Sequence, residues 1–86
     1  MHVKQIEAFL AVAQGRSFTK ASARLFLSQP SISKTIRSLE SELGFRLFVR
    51  SAKQIELTPE GLILFHRWKQ VPRIVDEAVE AARHLS

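Results

Sequence analysis

The stretch from Ser28 to Gly44 constrains the fold of this 86-residue chain more than any other. Its large apolar residues recur four, three and four positions apart, which places them on one face of a helix. These residues are Ile32, Ile36, Leu39 and Leu43. Hydroxyl-bearing and basic residues occupy the opposite face together with one proline: Pro30, Ser33, Lys34, Arg37 and Ser41. The sequence therefore predicts a helix with a buried back and a polar, cationic front.

Positive charge is concentrated in the N-terminal part of the chain. The formal net charge is +5; residues 1–57 contain nine Lys or Arg against four Asp or Glu, whereas residues 58–86 contain four of each. From Arg16 through Arg37, both included, there are five cations and no anion. Scattered cations on a small domain usually form a solvated surface, but clustered ones favour a polyanionic partner. A helix with such a face is of the kind that the major groove of duplex DNA admits.

Several other classes of function lack the residues they need. The chain has no cysteine, which excludes a disulfide framework and a thiolate metal site. Glu40 and Glu42 are two positions apart on a helix, so they face different ways and cannot act as a catalytic pair. No apolar run is long enough for a bilayer, and no signal peptide is evident. We expect a cytoplasmic protein with no membrane contact, no enzymatic activity and no metal. The histidines lack ligand spacing and are expected at the surface or an interface: His2, His66 and His84.

Local signals predict two helices before the Ser28–Gly44 segment. Apolar spacing favours a helix over His2–Gln14, with Gly15 as its end, and a short helix over about Phe18–Leu25. Ser17 and Ser28 are typical N-caps for the second and third helices. The phenylalanines are expected in the core rather than as stacking platforms for single-stranded nucleic acid: Phe9, Phe18, Phe26, Phe45, Phe48 and Phe65.

The periodicity changes after the third helix. Short β-branched and aromatic runs predict a hairpin over Phe45–Leu57. Thr58 and Pro59 are typical of a helix start, and this helix is expected to continue to about His84. The predicted fold is mainly α with a small β-hairpin: a winged helix-turn-helix followed by a long C-terminal helix.

The C-terminal helix carries a second apolar pattern, which we call the heptad stripe. Its residues are spaced alternately by four and three: Leu64, Trp68, Val71, Val75, Ala78, Ala82 and Leu85. Such a pattern favours pairing with a second copy of the helix. The alternative, that the helix packs only on its own domain, stays open. Pro72 lies beside the stripe and is expected to bend the helix.

Several short motifs, in order and spacing, resemble the N-terminal DNA-binding domain of LysR-type transcriptional regulators. They are Gly15 with Ser17-Phe18-Thr19, Ser28-Gln29-Pro30, Ser33-Lys34-x-Ile36, Leu39-Glu40-x-Glu42-Leu43-Gly44, Leu47-Phe48-x-Arg50 and Leu57-Thr58-x-x-Gly61. The resemblance implies a winged helix-turn-helix over residues 1–58, with the helix-turn-helix at about 18–37 and the wing at about 45–57. It implies a dimerising linker helix over 59–86. It also implies an effector-binding domain that lies outside these residues and would bind a small molecule, whereas this chain itself holds no cofactor.

The resemblance further implies sequence-specific binding to double-stranded DNA at the nucleoid and regulation of transcription. The binding species would be a homodimer, or a tetramer in a full-length protein, on an interrupted palindrome. Base edges would be contacted by Gln29, Pro30, Ser33 and Lys34, with Arg37 divided between a base edge and a phosphate. A further set of residues would contact phosphates or, from the wing, the DNA minor groove: Thr19, Lys20, Ser28, Ser31, Arg50 and Lys53. Two alternatives remain: that the helix hydroxyls are simply solvated, and that the basic face binds an acidic protein.

Overall fold

The computed structural model describes residues 1–50 and 53–86, and the fold it shows there is mainly helical. The helices of these residues are α1 (Val3–Gly15), α2 (Phe18–Leu25), α3 (Gln29–Leu43), α4 (Pro59–Trp68) and α5 (Val71–Arg83). Helices α1, α2 and α3 pack against one another, and α1 also contacts α4. Helix α1 is therefore the central element on which the others assemble.

Short polar side chains begin three of the helices, as the sequence predicts. Ser17 accepts a hydrogen bond from the backbone N–H of Lys20 at 3.0 Å, and Ser28 accepts one from that of Ser31 at 3.2 Å. Thr58 caps α4 in the same way. Each cap satisfies a backbone donor that the first turn of a helix leaves unpaired. These caps place the starts of α2 and α3 close to the predicted boundaries.

The apolar back of α3 is buried, which confirms the predicted pattern. Ile32, Ile36 and Leu39 are at most 3% exposed, and Leu43 packs at the edge of the same core. Facing them is α1, whose Phe9 is completely buried. Because one side of α3 is held in the core, its opposite side is forced toward solvent.

Within residues 1–50 and 53–86, two residues other than glycine adopt the left-handed conformation. Arg16 ends α1 at a φ of 50°, so the prediction that Gly15 would do so was wrong by one position. Phe26 ends α2 at a φ of 57°, and its side chain is 93% exposed. Phe26 was therefore wrongly predicted to lie in the core, because the turn at that residue directs the ring into solvent. The other phenylalanines are buried or pack against the core as predicted.

The predicted hairpin over Phe45–Leu57 is not confirmed. Among the described residues the segment contains one isolated antiparallel bridge, between Phe48 and Leu57. The backbone N–H of Val49 donates to the carbonyl of Glu56 at 2.8 Å beside that bridge. The pairing does not extend far enough to form strands in the described part, and residues 51–52 lie outside the described residues. We keep the name wing for residues 45–57.

The predicted long C-terminal helix is two helices. Lys69 and Gln70 separate α4 from α5, although both keep right-handed helical backbone angles. Pro72 has no N–H to donate to the carbonyl of Trp68, so the regular ladder is interrupted at this point. Helix α5 restarts with a bond from Ile74 N–H to Gln70 O at 3.0 Å. The expectation of one helix to about His84 was therefore wrong, while the disturbance expected from Pro72 is present.

Candidate nucleic-acid interface

The residues predicted to contact base edges lie together on the solvent side of α3. Four of the five are exposed, and Ser33 is half-buried. Their positions fall on one broad helix face, because each is adjacent in sequence to another member or three to four residues from one. This set comprises Gln29, Pro30, Ser33, Lys34 and Arg37. The face is opposite the buried stripe of α3 and is available to a partner.

The first turns of α2 and α3 are linked by a side-chain hydrogen bond that the sequence did not predict. Gln29 Nε2 donates to Thr19 Oγ1 at 3.0 Å. This bond fixes the amide of Gln29, while its carbonyl oxygen and second N–H have no partner among the residues that the structure describes. Thr19 and Lys20 are exposed beside it. Residues predicted for phosphate contact and for base contact therefore lie next to each other.

Ser28 and Ser31 form a small hydrogen-bonded unit at the start of α3. Ser28 Oγ donates to Ser31 Oγ at 2.9 Å in addition to accepting from the backbone of Ser31. The hydroxyl of Ser28 is thus committed mainly to capping. Ser31 is exposed and remains more open to an outside partner.

The wing places cations next to those of α3. Arg50 and Lys53 line the same groove as Ser33 and Arg37. All three cations of this groove are exposed, and Arg50 is paired with Glu40. In residues 1–50 and 53–86, neither Arg37 nor Lys53 takes part in an ion pair. The groove between α3 and the wing therefore presents positive charge to solvent.

Glu40 connects α3 to the wing, and sequence reasoning missed this role. Its side chain is 6% exposed and accepts hydrogen bonds from the backbone N–H groups of Leu47 and Phe48 at 2.7 and 3.5 Å. Its second oxygen accepts from Arg50 Nη2 at 2.9 Å. The available signal was that Glu40 lies four residues after buried Ile36, on the same side of the helix.

Glu42 faces a different part of the surface, as predicted from its spacing. Its carboxylate lies 2.9 Å from the Met1 ammonium and accepts a hydrogen bond from Gln5 Nε2 at 3.4 Å. The Met1 ammonium, followed by the Gln5 amide, lowers the pKa of Glu42 below its ordinary value. Glu42 is therefore a carboxylate of α3 that has no part in the groove.

The structure divides the heptad stripe into two parts. Leu64, Trp68 and Val71 are half-buried against the domain's own core, and the Trp68 ring meets that of Phe9 edge-on at 6.1 Å. The remaining members are exposed: Val75, Ala78 and Ala82 lie on α5, and Leu85 lies in the turn just after its end. Sequence reasoning did not include two exposed apolar neighbours of the stripe on α5, Ile74 and Val79.

Neither a metal site nor a membrane span is found in the described part of the chain. No group of three or more potential ligands among His, Cys, Asp and Glu is placed to hold an ion in residues 1–50 and 53–86. None of the helices in these ranges combines the length and apolarity that crossing a bilayer requires. The three histidines are exposed, as predicted.

Comparison with known proteins identifies the family. Residues 3–62 match the model of the bacterial regulatory helix-turn-helix protein, lysR family. The chain is 40% identical to the RuBisCO operon transcriptional regulator of Allochromatium vinosum, over 99% of this chain and 29% of that protein. It is 33% identical to the BenM regulator of Acinetobacter baylyi, of which it spans 28%. The chain therefore covers less than a third of the length of these relatives.

Solved structures agree with the sequence match. The BenM DNA-binding domain in complex with catB site 1 DNA has a TM-score of 0.93 and 33% identity, over 99% of this chain and 96% of that chain. The CbnR DNA-binding domain in its DNA complex has a TM-score of 0.88 and 30% identity, over 99% and 98%. The helical fold, the helix-turn-helix of α2 and α3 and the family match lead to one conclusion. The chain belongs to the LysR family of bacterial regulatory helix-turn-helix proteins.

Proposed function

We propose that this chain binds double-stranded DNA sequence-specifically as a homodimer and regulates transcription as the DNA-binding part of a longer regulator. The observation that carries the proposal is the position of α3. Ile32 and Leu39 are completely buried on its back, whereas Gln29, Lys34 and Arg37 are exposed on its front. Support also comes from the similar BenM and CbnR domains, which were solved in complex with DNA.

In this proposal α3 is the recognition helix and reads base edges in the major groove. The free carbonyl oxygen and N–H of Gln29 match the donor and acceptor that adenine presents there. Pro30 offers an apolar surface to a thymine methyl group. Ser33 is short enough to let the helix sit deep in the groove, and Lys34 reaches guanine acceptors. Arg37, farther along the helix, contacts either a base edge or a phosphate.

Other groups hold the domain on the phosphate backbone without reading sequence. Thr19 and Lys20 project from the first turn of α2, beside Gln29. Ser31 contributes a hydroxyl at the start of α3, and Ser28 supports it mainly as a cap. On the other side of the recognition helix, Arg50 contacts a phosphate and Lys53 enters the minor groove, where narrow A·T-rich DNA attracts cations.

Dimer formation is proposed from the exposed apolar face of α5. Val75, Ala78 and Ala82, with Leu85 just beyond the end of the helix, would be covered by the same segment of a second copy. Leu64, Trp68 and Val71 would connect that interface to each domain's core. A two-fold pair of recognition helices reads an interrupted palindrome. We propose that a small-molecule effector acts through a further domain of the longer protein, which works in the bacterial cytoplasm as a dimer or tetramer.

A salt titration with duplex DNA tests the proposal. Binding to a labelled random-sequence duplex would be followed by fluorescence anisotropy. The logarithm of the association constant should fall linearly with the logarithm of the salt concentration. The slope should be about −0.9 for every phosphate that is neutralised. Absence of binding at about 0.15 M salt, with the protein folded, would contradict the proposal. The cationic face would then be better explained by an acidic protein partner.

A further inference from the structure

Glu40 carries a buried carboxylate beside the wing, and its role in DNA binding, which rests on the proposed function, can be inferred from its partners. We propose that Glu40 is a positioning residue: it holds Arg50 of the wing beside the recognition helix, so that the guanidinium is already oriented for a DNA phosphate before binding. Glu40 itself does not contact DNA. Its effect on binding would be exerted through Arg50.

The Glu40 carboxylate is held in place by burial and by hydrogen bonds to the backbone of the wing. Glu40 is 6% exposed and stands beside Leu39, which is completely buried. A buried carboxylate requires hydrogen-bond donors, and backbone N–H groups of Leu47 and Phe48 supply them to its Oε2. Because backbone donors cannot swing away, they fix the carboxylate relative to both α3 and the wing.

The hydrogen bond to Glu40 occupies only one edge of the Arg50 guanidinium. Its Nη2 donates to Glu40 Oε1 at 2.9 Å, while the side chain remains 52% exposed. A guanidinium has five N–H donors in a rigid fork, so others remain for a phosphate oxygen. An arginine tethered in this way loses less side-chain freedom on binding than an untethered one.

Other cations surround the Glu40–Arg50 pair. Glu40 and Arg50 line a groove with Arg37, Lys53 and Ser33, so the oriented guanidinium lies among other cations and next to the base-reading face. A bare carboxylate here would repel phosphate. Burial of Glu40 and its pairing with Arg50 limit that repulsion, which makes a positioning role compatible with a polyanionic ligand.

The test uses Glu40→Gln, with Glu42→Gln as a matched control on the same helix. A glutamine carbonyl can still accept from the Leu47 N–H, but its NH₂ group cannot accept from Arg50. Duplex affinity would be measured over a range of salt for the wild-type chain, both variants, Arg50→Ala and the Glu40→Gln/Arg50→Ala double variant. Thermal unfolding would be recorded for each.

We expect Glu40→Gln to weaken binding about threefold to tenfold, by loss of the oriented side chain. The salt slope should become shallower by about 0.9, as for Arg50→Ala, because one phosphate contact is lost. The double variant should bind no more weakly than Arg50→Ala alone. Glu42→Gln should leave both affinity and slope unchanged.

Unchanged or tighter binding by folded Glu40→Gln would overturn the inference, since Arg50 would then act without Glu40 or in competition with it. Failure of the wild-type chain to bind any duplex would instead count against the proposed function. NMR relaxation of the Arg50 Nε–H in the DNA-free wild-type chain reports the mobility of that side chain. This second measurement does not need the variant to fold. An ordered side chain supports the inference, and a freely mobile one overturns it.

Discussion

Gly61 in the first turn of α4 lies directly against the backbone carbonyl oxygen of Leu47, where the wing begins. A Cβ atom at position 61 would overlap that oxygen. The same carbonyl accepts a hydrogen bond from the backbone N–H of Thr58 at 3.0 Å. The Thr58 hydroxyl donates a second hydrogen bond to the carbonyl of Arg46 at 2.6 Å. The start of α4 and the base of the wing therefore form one backbone-to-backbone contact that only glycine permits.

The close approach at Gly61 predicts that Gly61→Ala is destabilising. Alanine would gain up to about 1 kcal/mol from helix propensity, but the overlap with backbone should cost about 1–3 kcal/mol or more. Gly15→Ala is the matched control, because a Cβ there meets Lys20 Cβ at an ordinary 3.8 Å. Urea unfolding should show a lower free energy of unfolding for Gly61→Ala and no decrease for Gly15→Ala. Equal stability of the two variants would contradict the contact.

The exposed ring of Phe26 predicts that its removal is harmless to the fold. A left-handed backbone costs a residue with a side chain about 1–2 kcal/mol, and Phe26→Gly would remove that cost. Glycine would in turn lower stability by about 0.4–1 kcal/mol, because it gives the unfolded chain more conformational entropy. We expect the free energy of unfolding to stay the same or rise by about 1 kcal/mol. Phe9→Ala removes a ring from the core and should lower the free energy of unfolding by about 3–5 kcal/mol. A comparable loss in both variants would place Phe26 in the core after all.

The division between base and phosphate contacts predicts different effects for two neighbouring residues. Gln29→Ala should lose about 1–3 kcal/mol of discrimination between a selected site and random duplex. Lys20→Ala should weaken both duplexes about equally and make the salt slope shallower by about 0.9. Competition titrations with the two duplexes measure both effects. Equal loss on both duplexes for Gln29→Ala would rule out its role in reading sequence.

The exposed apolar face of α5 predicts that Val75→Lys prevents dimerisation. A lysine there would bring its charge into the proposed interface, where it has no partner. Glu80→Lys is the control, since Glu80 lies on the opposite, charged face of α5 and is 68% exposed. Sedimentation equilibrium should give a monomer for Val75→Lys and a dimer for Glu80→Lys. The same mass for both would remove α5 from the dimer interface.

Features that depend on a few neighbouring residues were predictable from the sequence. The caps at Ser17, Ser28 and Thr58 involve backbone groups within the next three residues, so local sequence specifies them. The burial of Ile32 and Leu39 follows from helical periodicity in the same way.

Features that depend on distant contacts were not predictable. The hydrogen bond between Gln29 and Thr19, and those that Glu40 receives from the wing, join residues seven to ten positions apart through the folded structure. The exposure of Phe26 depends on how the turn after α2 directs its side chain. Apolar character alone does not distinguish that outcome from burial.

Selection of bound sites from a random duplex pool is the most direct test of sequence-specific DNA binding by a dimer of this chain. We expect enrichment of one half-site that occurs twice in inverted orientation at a fixed spacing, because two copies of α3 would be related by a two-fold axis. Gln29→Ala should relax the enriched base at the position it contacts. A pool that retains no common sequence, or only a single unpaired half-site, would contradict sequence-specific binding by a dimer.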